Sequence, residues 1–159
     1  AGMDLALVTG RGHHTLTNIK NKSPYVYDSL VGQFGNRYTD DKFNGDFYST
    51  AILKADLSEL RKTGIEQSVN AFLKRLHDKK AKGFWIHVDL DVLNDEIMRA
   101  VDARQPDGLH YHELRQLIRL LLQSGKAIGI QFTVYDPDLD KDKRIGKKLV
   151  EEMVAMFSF

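Results

Sequence analysis

The chain contains no cysteine, which excludes a disulfide framework, a thiolate metal site and a cysteine nucleophile. A dominant charge is lacking too. The 23 Lys and Arg stand against 22 Asp and Glu for a formal net charge of +1, so no strong field draws the protein to nucleic acid or to an anionic membrane. No apolar run approaches the roughly 18 residues of a membrane span, and the first residues lack the basic start and apolar core of a signal peptide. These absences point to a soluble, cytoplasmic protein whose partners are small molecules. What is present is a 42% share of hydrophobic residues in a chain of 159, enough for a single domain over 1–159 with a real core.

Two segments, Phe84 to Val88 and Ala127 to Val134, are apolar almost throughout instead of alternating, the pattern of strands buried on both faces. A third and less regular strand is read over Tyr25 to Phe34. Apolar residues recur at helical spacing at Ile65, Val69, Phe72, Leu73 and Leu76, at Leu114, Leu117, Ile118 and Leu121, and at Ile145, Leu149, Met153 and Met156. Strand and helix therefore alternate through the last two thirds of the chain, as in right-handed crossovers of a parallel sheet covered by helices. The expected class is α/β, with three α/β/α layers around a mainly parallel sheet. The Gly-, Asn-, Asp- and Ser-rich stretch from Arg11 to Phe47 is assigned to loops around its one strand.

In such a sheet the ligand crevice lies outside the carboxyl ends of the strands. The segment WIHVDLDVLND, residues 85 to 95, places Asp89 and Asp91 where an apolar strand gives out. Carboxylates at i and i+2 of extended chain share a face, with roughly 6.6 Å between α-carbons at about 3.3 Å per residue, so both can converge on a cation or a metal pair. Alone, the pair also fits a solvated loop after a strand.

The surroundings of the pair add a resemblance. HVDLDVLND, then QPDGLHYHEL, then a strand ending in VYDPDLD resemble in order and spacing the C-terminal portion of the arginase, agmatinase and formiminoglutamase family, the ureohydrolases. There a strand ends in S-x-D-x-D-x-x-D-P, a G-G-L-[ST]-x-x-E segment opens the next helix, and the next strand ends in E-x-N-P. Upstream, GIEQSVNAFLKRL, FGNR and GMDLAL are similar to the family's helix before the metal strand, its I-G-x-R strand end and its H-G-M-P-L-A segment. The resemblance implies an arginase-like fold lacking its N-terminal part, and a metal-dependent hydrolase of C–N bonds in guanidino or formimino compounds that is incomplete and inactive as this fragment. It also implies a binuclear manganese site with Asp89 and Asp91 among its ligands, and a homo-oligomer. A non-catalytic arginase-like scaffold or assembly module is the alternative.

Several positions depart from the family pattern. Ala1 stands at the histidine before G-M-P-L-A, Val134 at the glutamate of E-x-N-P that recognises guanidinium, Asn94 at the third aspartate and Asp95 at the proline. An apolar side chain at 134 cannot make the charge-assisted carboxylate contact that a guanidinium requires. Neither the H-x-D-A-H-x-D segment nor the G-G-D-H segment that completes the family's ligand set occurs, so no catalytic or substrate-binding residue is assigned. His87 reads as a hydrogen-bonded core histidine, His110 and His112 as residues of a helix start with either a surface or capping role or contact with the crevice, and Glu113 as a first-turn carboxylate favoured by the helix dipole, or as a group that supports the metal ligands from behind. TGRGHH at 9–14 reads as a glycine turn ending a helix, and DPDLDKDK at 136–143 as a solvated loop without the glycine and glutamate of a calcium loop.

Overall fold

The computed structural model describes residues 3–37 and 45–158, which fall into two compact units, residues 1–33 with 38–54 and residues 34–37 with 55–159. In the first unit, helix α1 (Asp4–Val8) ends as its sequence requires. Gly10 takes φ +88°, which L side chains rarely adopt, and Gly10 and Arg11 donate back to the carbonyls of Leu7 and Ala6 at 3.1 and 2.7 Å. That is the paired C-terminal glycine closure expected of TGRGHH. A short α2 (His14–Thr17) follows. Arg11 grips Asp28 with both guanidinium arms and reaches Thr9 Oγ1 at 2.7 Å. The hydrogen bond from Arg11 holds the Asp28 carboxyl below its usual range.

The strand expected over Tyr25 to Phe34 shrinks to β1 (Gly32–Phe34). Asp28–Leu30 forms a single 3-10 turn instead, with the Asp28 carboxylate turned to Arg11. Strand β2 spans Leu53–Ala55.

The second unit carries the alternation seen in the sequence. Helices α3 (Leu57–Thr63) and α4 (Ile65–Asp78) lead to strand β3 (Phe84–Asp89). Helix α5 (Tyr111–Gln123), strand β4 (Ala127–Thr133) and helix α6 (Arg144–Phe157) follow. Asp56 starts α3 by accepting the Glu59 amide at 2.8 Å, the usual remedy for orphan donors at a helix start. The predicted apolar faces bury Ile65, Val69, Phe72 and Leu76 on α4 and Leu114, Leu117, Ile118 and Leu121 on α5. On α6, Leu149 and Met156 are buried while Ile145 and Met153 are only partly covered. The Phe72 ring meets Phe34 and Phe84 edge-on, with centroids 5.9 and 5.6 Å away. Each large apolar side chain so buried contributes about 1.5–3 kcal/mol.

Strands β3 and β4 pair in parallel, Ile86 opposite Ile130 and Asp89 opposite Thr133, so the adjacent parallel strands of the sequence reading are found. Their burial on both faces is not. Phe84, Ile86 and Val88 are buried, whereas Trp85 is 56% exposed, Ile128 is 74% exposed and His87 is exposed. Successive side chains of a strand must point to opposite faces, so an apolar run supplies two apolar faces without showing that both are covered. His87 is thus no core histidine. It lies on the open face, with Gln131 Nε2 at 2.5 Å and Thr133 Oγ1 at 3.5 Å from its ring nitrogens. No helix among the described residues is long and apolar enough to cross a membrane.

Candidate metal centre

Strand β3 hands its last carboxylate directly to a turn. Asp89 accepts the Asp91 amide at 3.3 Å and so starts a single 3-10 turn over Leu90–Val92. Leu90, 1% exposed, plugs the start of the turn into the core between the two aspartates. With the backbone turned and the chain between them anchored, the side chains of Asp89 and Asp91 come together. Burial raises the Asp91 carboxyl to about 6, the Asp89 charge and hydrogen bond add to the rise, and the Arg37 charge opposes it. A half-buried carboxyl raised in this way beside a second carboxylate offers a hard divalent cation two oxygen donors, and such a cation competes with the proton on Asp91.

The turn is braced from behind. Arg37 donates Nη1 to the carbonyls of Asp107 at 2.8 Å and Leu93 at 3.3 Å, and Nη2 to the carbonyl of Asp91. The chain beyond the turn is stapled to residues 107–109, with the Asn94 amide on the Leu109 carbonyl and the Leu109 amide on the Val92 carbonyl, each at 2.9 Å. Only glycine permits this closeness. A Cβ on Gly108, whose φ is +129°, would lie 2.5 Å from Asn94 N and 2.6 Å from Arg37 Nη1. Arg61 closes the outer side, reaching Asp107 Oδ2 at 2.8 Å, the Gly108 carbonyl at 3.0 Å and Glu113 at 3.6 Å.

The other positions singled out in the sequence take different parts. Asn94 uses its side-chain oxygen on the Glu96 amide at 2.8 Å, and Asp95 pairs with Arg104 at 2.6 and 2.8 Å, so neither turns toward the carboxylate pair. Glu113 accepts the His110 amide at 2.7 Å, the helix-start role read from its position. His110 and His112 stack ring on ring at 5.7 Å. Val134, expected as a buried residue, is 46% exposed and follows β4 with φ +65°, a conformation that is costly for a β-branched side chain. Ala1 lies outside the described residues. Within DPDLDKDK, Asp140 is not solvated: it is 3% exposed and accepts from Tyr135 Oη, Ile145 N and Gly146 N.

Among the described residues no three His, Asp or Glu side chains gather as a ligand set. Asp89 and Asp91 therefore fit as the carboxylate part of a divalent-metal centre and do not complete one. Arg37 and Arg61 were not legible as parts of it. FGNR read only as a strand end, and no motif marked Arg61.

The sequence model of the arginase family matches residues 11–157. The chain belongs to the arginase family. It is 25% identical over 150 residues to the arginase of Bacillus subtilis, covering 94% of this chain and 50% of that protein. Its fold superposes on the crystal structure of the Bacillus caldovelox arginase with a TM-score of 0.87 at 24% identity, over 99% of this chain and 52% of that one. The formimidoylglutamase of Bacillus subtilis is similar more loosely, with a TM-score of 0.67 at 20% identity over 82% of this chain and 41% of its own. This arginase-family chain has an α/β fold and spans about half the length of the relatives it matches.

Proposed function

We propose that this arginase-family chain supplies part of a manganese-dependent hydrolase acting on C–N bonds of guanidino or formimino compounds, with Asp89 and Asp91 as two of the metal ligands. The observation that carries the reading is the meeting of these carboxylates at the carboxyl end of β3 in a chain of this family, where ligands of parallel sheets gather. When bound, a metal pair supplies Lewis-acid polarisation that makes water a nucleophile at neutral pH. The residues of this chain do the holding. Asp89 and Asp91 would each offer the cation a carboxylate oxygen, Leu90 keeps the turn seated, and the apolar Val134 leaves the position of the family's guanidinium-recognising glutamate without a carboxylate.

That last feature and the two-ligand count among the described residues favour a second reading, an arginase-like scaffold without catalysis. Calorimetric titration of manganese into residues 1–159, Asp89→Ala and Asp91→Ala separates the two, alongside hydrolysis assays with arginine, agmatine and N-formimino-glutamate. The first reading expects weak manganese binding that both substitutions abolish, and little hydrolysis by these residues alone. Binding that survives both substitutions moves the site elsewhere, and no binding by the unaltered chain favours the scaffold.

A further inference from the structure

Arg37 touches three separate carbonyls around the carboxylate turn. Its two terminal nitrogens collect Asp91 O, Leu93 O and Asp107 O, so a single rigid fork spans the turn itself, the chain leaving it and the glycine loop beside it. A guanidinium is suited to this because its donors are planar, fixed in direction and permanently charged, whereas a lysine ammonium is a flexible point charge. The position of the fork is fixed too. Arg37 follows Gly35 and Asn36, whose backbone is tied down by Gly35 N on Ala55 O at 2.8 Å and Leu57 N on Asn36 O at 3.0 Å. At the far end, Gly108 leaves the space the guanidinium occupies.

Its charge works against any role as a simple electrostatic helper. A cation near Asp91 competes with a metal for the same carboxylate, so by charge alone Arg37 weakens metal binding. Its three backbone contacts act in the other direction, by holding the Asp91 backbone where the Asp91 side chain meets Asp89. Groups that orient metal ligands in this way typically matter by about 10- to 100-fold in metal affinity.

We propose that Arg37 is a positioning residue that fixes the Asp89–Asp91 pair for metal by clamping the carbonyls of Asp91, Leu93 and Asp107, a proposal that rests on the metal reading above. Two opposite signs follow. Removing only a charge tightens manganese binding, and removing the clamp loosens it.

The test is NMR on residues 1–159, unaltered and as Arg37→Met and Arg37→Lys. In metal-free buffer, Arg37→Met speeds exchange of the Asn94 and Leu109 amides by about tenfold or more while amides of the β3–β4 ladder keep their protection. On adding manganese chloride, the amides of residues 89–91 broaden in the unaltered protein. Arg37→Met raises the manganese concentration needed for the same broadening by about tenfold, and Arg37→Lys, which keeps the charge but cannot span three carbonyls, shifts it in the same direction. If Arg37→Met does not fold, Arg37→Lys decides by both readouts. Unchanged exchange at Asn94 and Leu109, unchanged or tighter manganese binding in Arg37→Met, or a Lys variant equal to the unaltered protein each overturns the proposal. If manganese broadens nothing in the unaltered protein, the metal reading fails, and amide exchange alone still upholds or refutes the clamp.

Discussion

The chain contains the pattern D-x-D after both strands of its β3–β4 pair, Asp89-Leu90-Asp91 directly at the end of β3 and Asp136-Pro137-Asp138 three residues beyond β4. Locally the two are the same device. In each, the first aspartate accepts the amide of the second and starts a single 3-10 turn. They diverge in what lies beneath. Leu90 is 1% exposed and pulls its turn into the core, and Arg37 clamps that turn from behind. Pro137, Asp138 and Leu139 are exposed, and the buried carboxylate of their loop, Asp140, is fully engaged by Tyr135 and the first amides of α6. Burial pushes the Asp140 carboxyl up, but the hydrogen bonds from Gly146, Tyr135 and Ile145 outweigh it and hold it below its usual value. The first pair is left with oxygens for a ligand, and the second loop has spent its buried carboxylate on a helix start. The motif sets the backbone, and the middle residue sets the chemistry.

Substitution of the apolar residue in each turn breaks this comparison most directly. Leu90→Ala leaves a cavity and costs about 3 kcal/mol, whereas Leu139→Ala, at a side chain 50% exposed, changes stability by less than about 0.5 kcal/mol. Urea unfolding followed by Trp85 fluorescence reads both. Equal losses would show that the turn after β3 is no better seated than the other.

Manganese response is the next contrast. Asp91→Ala abolishes the selective broadening of amides 89–91, and Asp138→Ala leaves it as in the unaltered protein. A response lost equally in both variants would mean that manganese binds diffusely to surface carboxylates.

The sequence carried the second unit further than the first. The helices over Ile65–Asp78, Tyr111–Gln123 and Arg144–Phe157 were legible because an amphipathic stripe has its own period. The parallel pairing followed from their alternation with apolar strands. Coverage of a face leaves no such mark, so Trp85 and Ile128 read as core and are exposed. The turn that carries Asp89 and Asp91 was legible through its place at a strand end. Arg37 was not, since the carbonyls it clamps lie 54 to 70 positions further along the chain, a distance that no local pattern spans. Asp140 was missed for a related reason: a run of charged residues reads as solvated, whereas in the fold Asp140 is buried with Tyr135, Ile145 and Gly146 as its donors.

The smallest expected effect concerns protons. The Asp91 carboxyl is raised by burial from its ordinary value of 3.8 to about 6 in the folded chain. Between roughly pH 4 and pH 6 the folded state then holds more protons than the unfolded one, so the contribution of this group to stability falls as pH rises through that window and stays at its low value at pH 7. Two pH units correspond to about 3 kcal/mol, and solvent screening of a half-buried group reduces this to about 1 kcal/mol. Asn at the same position bears no charge to be penalised. Asp91→Asn should therefore be more stable than the unaltered chain by about 1 kcal/mol at pH 7 and nearly equal to it at pH 4, measured by urea unfolding in chelator-treated buffer. The exposed Asp138→Asn shifts stability by less than about 0.5 kcal/mol at either pH. A difference for Asp91→Asn that is the same at pH 4 and pH 7 would locate its cause in packing, and the electrostatic distinction between the two D-x-D turns would fall.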